Sequence, residues 1–204
     1  MDTGLFGGIY RGSEWLMRLA YLNILWIAFT LVGLVVFGLF PATVGMFAVT
    51  RKWVMGDTEI PIFKTFWESY KAEFKQANIV GYIILVIGFF LYFDLRFAQS
   101  QDNFFGYFRY FFLGLILFYL VATLYLFPVF THYKLKTFEY IKHAIIFAIG
   151  RPLSSLIMIV SSVAVSYLML FIPGLIPFYS GSVMSLIIMW AASLSFPKLV
   201  EARE

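Results

Sequence analysis

PLSSLIMIVSSVAVSYLMLFIPGLIPFYSGSVMSLIIMWAASLSFP, residues 152–197, contains no acidic or basic side chain. A helix rises about 1.5 Å per residue against a hydrocarbon core about 30 Å thick, so one crossing takes about 20 residues. The stretch holds two crossings. It also carries its own break, because Pro173-Gly174 and Pro177 interrupt a helical pattern and favour a tight turn. The reading is a pair of spans at about 153–172 and 175–196. Apolar residues run continuously rather than alternating with polar ones, which fits helices and not the strands of a barrel.

Working outward, three more windows lack charge: residues 19–50, 76–93 and 110–133. The chain is 62% hydrophobic and 13% charged, with a mean hydropathy of +0.87. That leaves too little polar surface to wrap a soluble core. The expected fold is an all-α integral membrane protein, one domain over residues 1–204, with five spans at about 19–40, 78–95, 110–127, 153–172 and 175–196. The connections at about 42–77 and 129–152 are expected on the cytoplasmic side of a cell membrane. The first apolar stretch follows a mixed-charge segment and lacks a small-x-small cleavage site, so span one is expected to remain as an anchor. With no cysteine, disulfide and thiolate chemistry are excluded.

Orientation follows from Lys and Arg. Arg51, Lys52, Lys64, Lys71, Lys75, Lys134, Lys136, Lys142, Arg151, Lys198 and Arg203 fall on one side of a five-span arrangement, against Arg11, Arg18, Arg96 and Arg109 on the other. The positive-inside rule then places the N-terminus outside and the C-terminus in the cytoplasm. In this arrangement spans one, three and five all end inward on a Phe-Pro pair, making Pro41, Pro128 and Pro197 helix-end residues at the cytoplasmic boundary. Leu-Phe-Pro at 39–41 and 126–128 is followed in each case by Lys-Thr-Phe, at 64–66 and 136–138. A degenerate two-helix repeat and a chance recurrence of helix-ending proline both account for this.

Within the first connection, "IPIFKTFWESYKAEFKQ" places Phe63, Phe66, Trp67, Tyr70 and Phe74 at helical spacing, with Lys64, Glu68, Lys71 and Lys75 mostly off that stripe. The result is an amphipathic helix. Its aromatic face has three open uses: docking a partner, lying in the headgroup layer, or packing on the protein's own spans.

The spans are polar only through Asn23, Thr30, Thr123 and a set of serines. Proton-coupled transporters and charge-selective pores place ionisable groups mid-membrane, and none occurs here. His132 and His143 are eleven residues apart in a basic connection without acidic companions, so neither a metal nor a nucleophile site is read from them. No phosphate-loop or dinucleotide fingerprint occurs. Catalytic residues and cofactors are expected to be none. The basic, Tyr-containing stretch "THYKLKTFEYIKH" suits anionic lipid headgroups rather than nucleic acid.

"LFPATVGMFAVTRKW" followed by "IPIFKTFWESYKAEFKQAN" resembles the YesL-like family of bacterial multipass membrane proteins, a family of unknown function, and the resemblance extends over nearly the whole chain. Membership implies genetic neighbourhood with ABC importers for oligosaccharides, and hence a role in carbohydrate uptake. It implies no catalytic residues. A permease subunit would carry a cytoplasmic Glu-Ala-Ala loop, and "EYIKHAIIFAIGRP" lacks its paired alanines and spacing. The expected function is therefore a non-enzymatic accessory or structural subunit working with such an importer. An independent small transporter or channel is the alternative.

Overall fold

A computed structural model describes residues 5–101 and 104–196. Seven α-helices run in order: α1 (Leu5–Val32), α2 (Leu39–Val54), α3 (Ile62–Gln99), α4 (Phe108–His132), α5 (Thr137–Gly150), α6 (Pro152–Phe171) and α7 (Ile176–Ser193), with short 3₁₀ turns before α4 and α7. Among the described residues there is no strand. Five stretches, in α1, α3, α4, α6 and from Pro173 through α7, are long and apolar enough to cross a membrane. Leu85, Phe89, Phe90 and Phe93 on α3, and Leu156, Val160, Val163 and Tyr167 on α6, stand exposed. Apolar side chains so placed belong in contact with lipid. This is an all-α multi-pass membrane protein.

The expected first span, 19–40, is corrected. α1 ends at Val32, and the chain reverses through Gly33–Gly38 into α2. Side-chain pairs along the two helices show an antiparallel hairpin: Trp26 Nε1 donates to Thr43 Oγ1 at 3.0 Å, and the Trp15 and Trp53 rings meet edge-on at 5.3 Å. Glycine is required at the tip, since a Cβ on Gly33 would overlap the Gly38 backbone. Leu34 and Val35 take φ of 55° and 64°, a left-handed conformation that is unfavourable for a β-branched residue. The tip holds because its backbone is hydrogen-bonded. Tyr82 Oη donates to the Val36 carbonyl at 2.6 Å and Asn78 Nδ2 to the Phe37 carbonyl at 3.0 Å. Both donors come from α3, so carbonyls that lipid could not satisfy are met inside the protein.

The hairpin also overturns the expectation that residues before span one face the side opposite the first basic connection. Arg18 donates to the Thr58 carbonyl and pairs with Glu14. From that end α3 leads away, α4 returns, α6 leads away and α7 returns. The Phe196 ring stacks on His132 at 4.4 Å, and His132 meets Arg51. One end of the bundle therefore gathers Arg18, Arg51, Lys52 and the α4–α5 turn. The chain turns back towards that end at the hairpin tip, which lies beside Asn78 and Tyr82 midway along α3, at the α3–α4 turn with Arg96 and Arg109 near it, and at the α6–α7 turn.

The expected connections are corrected as well. Residues 42–54 belong to α2, and the amphipathic helix is continuous with the second span in the 38-residue α3. The 129–152 connection contains α5. Pro41 does not end a helix. It occupies the first turn of α2, where its missing N–H costs nothing. Pro128 lies inside α4, which continues to His132. Pro197 lies outside the described residues. Lys-Thr-Phe sits at the start of α3 and of α5, whereas Leu-Phe-Pro opens α2 but lies near the end of α4. The two halves therefore do not match as a structural repeat.

Two buried polar contacts tie the passages together. Asn23, fully buried, donates from Nδ2 to the Pro177 carbonyl at 2.8 Å and accepts at Oδ1 from the amides of Gly181 and Ser182 at 2.9 and 3.1 Å. Tyr125 Oη lies within hydrogen-bond reach of Ser155 and Ser195. The core around them is largely apolar, with Val44, Phe47, Val80, Leu126, Met158 and Met189 among its buried members and Thr50, Ser154 and Ser185 among the buried polar side chains.

Candidate functional site

At the charged end, α2, α3 and α4 enclose a polar cleft of about 470 Å³. The last turn of α2 contributes Arg51 and Lys52. One face of α3 contributes Thr65, Glu68, Ser69 and Glu73, whose three- and four-residue spacings put them above one another on a helix. The end of α4 and the residues after it add Thr131, His132 and Lys134. α2 and α4 run side by side in the same direction, and the Phe47 ring stacks on Phe127 at 5.6 Å one turn before Arg51 and His132.

Arg51 Nε donates to His132 Nδ1 at 3.4 Å. An imidazole whose Nδ1 accepts carries its hydrogen on Nε2, and here Nε2 is buried without a hydrogen-bond partner in the chain. Lys52 Nζ reaches Thr65 Oγ1 at 3.5 Å. Among the described residues Arg51, Lys52 and Lys134 form no salt bridge; the nearest carboxylate pair is Lys64–Glu68, at 4.0 Å.

Arg51 lies on α2, outside the stretches long and apolar enough to cross a membrane, and burial lowers its guanidinium from its ordinary value. Among the described residues no group of three His, Cys, Asp or Glu converges on a point where a metal could sit.

The aromatic stripe is divided. Phe66 and Tyr70 are buried, packed on Phe29 of α1 at centroid distances of 5.3 and 5.1 Å and on the core formed by α1 and α2. For these two residues, of the three uses, it is packing on the protein's own helices that holds, not docking. Trp67 also meets Phe29, at 5.3 Å, while Lys71 Nζ lies 5.1 Å from its ring centroid. Phe63 and Phe74 remain exposed, at 48% and 37%, and are the members of the stripe open to another surface.

From sequence, His132 is a polar residue of a connection, and Arg51 counts as positive charge and as part of the stretch that carries the family resemblance. The structure brings the two together across 81 residues of chain. One signal was available: Arg51-Lys52 and His132 each close a strongly apolar segment.

The protein family described as "Protein of unknown function, DUF624" matches residues 19–95, which cover most of α1, the hairpin tip, α2 and most of α3. The uncharacterized protein YesL of Bacillus subtilis (strain 168) is 38% identical over 204 residues, covering 100% of this chain and 97% of its own. The chain belongs to this family. Two further uncharacterized members from the same organism are similar: YesV, 36% identical over 97% of this chain and 96% of its own, and YteU, 36% identical over 89% and 82%. The polar cleft residues Arg51, Lys52, Thr65, Glu68, Ser69 and Glu73 fall in the family-matched segment; Thr131, His132, Tyr133 and Lys134 lie beyond it. No solved structure matches the chain.

Proposed function

We propose that the protein is a non-enzymatic accessory subunit of the cell membrane, working at its charged end with an ABC importer for oligosaccharides. The observation that supports a one-sided role is the closed inner wall of the cleft. Val44, Tyr125, Val129 and Phe130 are each at most 4% exposed, and the Phe47–Phe127 stack lies beside them. A channel or charge-selective transporter needs polar groups along the crossing. The importer as partner is drawn from the family resemblance, and the exposed Phe63 and Phe74 offer a place for contact.

The charged end is taken to face the cytoplasm. It gathers Arg11, Arg18, Arg51, Lys52, Lys64, Lys71, Lys75, Lys134, Lys136, Lys142 and Arg151, against Arg96 and Arg109 at the other end, and the positive-inside rule assigns the larger set to the cytoplasm. Trp15 and Phe196 then both lie on the cytoplasmic side. Purification from the native host in mild detergent tests the partnership. Recovery of a permease and its solute-binding protein supports it. A clean homo-oligomer that carries solute across liposomes would replace it with the independent transporter.

A further inference from the structure

We propose that the cleft between α2, α3 and α4 binds a phosphate group, presented either by a free solute or by a lipid headgroup. The cleft holds hydrogen-bond donors whose acceptors the chain does not supply. Arg51 spends Nε on His132, which leaves the rest of its guanidinium fork, a geometry suited to two oxygens of one phosphate. The same hydrogen bond leaves His132 with a buried Nε2–H and no acceptor. Such a donor costs free energy until an oxygen meets it.

Charge points the same way. Arg51, Lys52 and Lys134 line the cleft, and among the described residues none forms a salt bridge. Glu68 and Glu73 line it too and oppose an anion. Glu68 is engaged by Lys64 at the rim, and Glu73 shares the cleft with Lys134. Three cations with a neutral N–H donor suit the several oxygens of a phosphate group better than a single carboxylate. The volume, about 470 Å³, accommodates the phosphate with the group it esterifies. This inference stands apart from the importer partnership, since a bare phosphate site and co-purification with a permease are read by different measurements.

The test uses the full chain in an uncharged detergent, titrated with inorganic phosphate at constant ionic strength with chloride as the reference anion, and read by calorimetry. A parallel arm reconstitutes the protein in phosphatidylcholine discs with or without phosphatidylglycerol and reads retained lipid by native mass spectrometry. Saturable binding of inorganic phosphate identifies a solute site. Retention of phosphatidylglycerol without phosphate binding identifies a headgroup site. In either case Arg51→Gln and Lys134→Gln each weaken binding about tenfold, the scale of one lost charge-assisted hydrogen bond. Lys142→Gln, the same change on α5 outside the cleft, leaves it unaltered. Absence of saturable binding in both arms, or equal weakening by Lys142→Gln, overturns the proposal. Lys134 is exposed, so its variant reports even where Arg51→Gln does not fold.

Discussion

Asn23 is the buried side chain of α1 that hydrogen-bonds to the start of α7, and removing it tests how the hairpin is held against the rest of the bundle. Asn23→Ala deletes three hydrogen bonds, one to the Pro177 carbonyl and two from the Gly181 and Ser182 amides. Interhelical hydrogen bonds in membrane proteins average about 0.6 kcal/mol each, so the expected loss is about 2 kcal/mol. For a chain of this size that lowers Tm by about 4–8 °C. Asn23→Asp keeps the acceptor oxygens but sets a carboxylate at a fully buried position against the Pro177 carbonyl, and should be at least as destabilising as Asn23→Ala. The assay is intrinsic fluorescence on heating in detergent, where Trp26 lies beside Gly181 and responds to separation of α1 from α7. A Tm for Asn23→Ala within about 1 °C of wild type would refute the reasoning, because the contact would then carry no net stability.

In this cysteine-free chain, single cysteines at Tyr10 and Asp57 should react with an impermeant thiol reagent from the same side, and one at Ser100 from the opposite side; Tyr10 grouping with Ser100 would break the hairpin assignment. Gly81→Ala should cost about 1–3 kcal/mol of thermal stability by overpacking, because its Cβ would overlap the Phe40 ring; an unchanged melting curve would show that the α2–α3 contact relaxes freely. Phe66→Glu should abolish accumulation of folded protein, since it places a charge at a fully buried position, whereas Phe63→Glu should leave the fold intact and reduce partner recovery. Equal abundance of the two variants would mean that the stripe is not divided as described.

The spans at α6 and α7 were legible because charge-free sequence and a Pro-Gly break mark both their extent and their boundary. The α1–α2 hairpin was not, for a physical reason. Its turn is written in apolar residues, "GLVVFG", since a turn in lipid cannot carry the Asn, Asp or Ser that marks one in water. The groups that stabilise it, Asn78 and Tyr82, are supplied from a separate helix. An uncharged window running from residue 19 to 50 is long for one crossing, and two glycines five apart inside it were the available trace. The cleft was illegible for a related reason, since Arg51, Glu73 and His132 converge only once α2, α3 and α4 lie side by side. Helical spacing marks the aromatic stripe, but periodicity does not say which of its rings face inward.

Tyr82 and Asn78 also set an order of events in biosynthesis. The carbonyls at the hairpin tip precede their donors by 46 and 41 residues of chain, which at about 5–20 residues per second separates their synthesis by roughly 2–9 s. Over that interval the newly made hairpin has two backbone acceptors that the lipid interior cannot satisfy. It must wait at the aqueous boundary or in the insertion machinery, and it commits to its final depth only when α3 follows. A nascent chain halted after α2 has emerged from the ribosome but before Asn78 has would therefore leave α1 and α2 accessible from the side they entered.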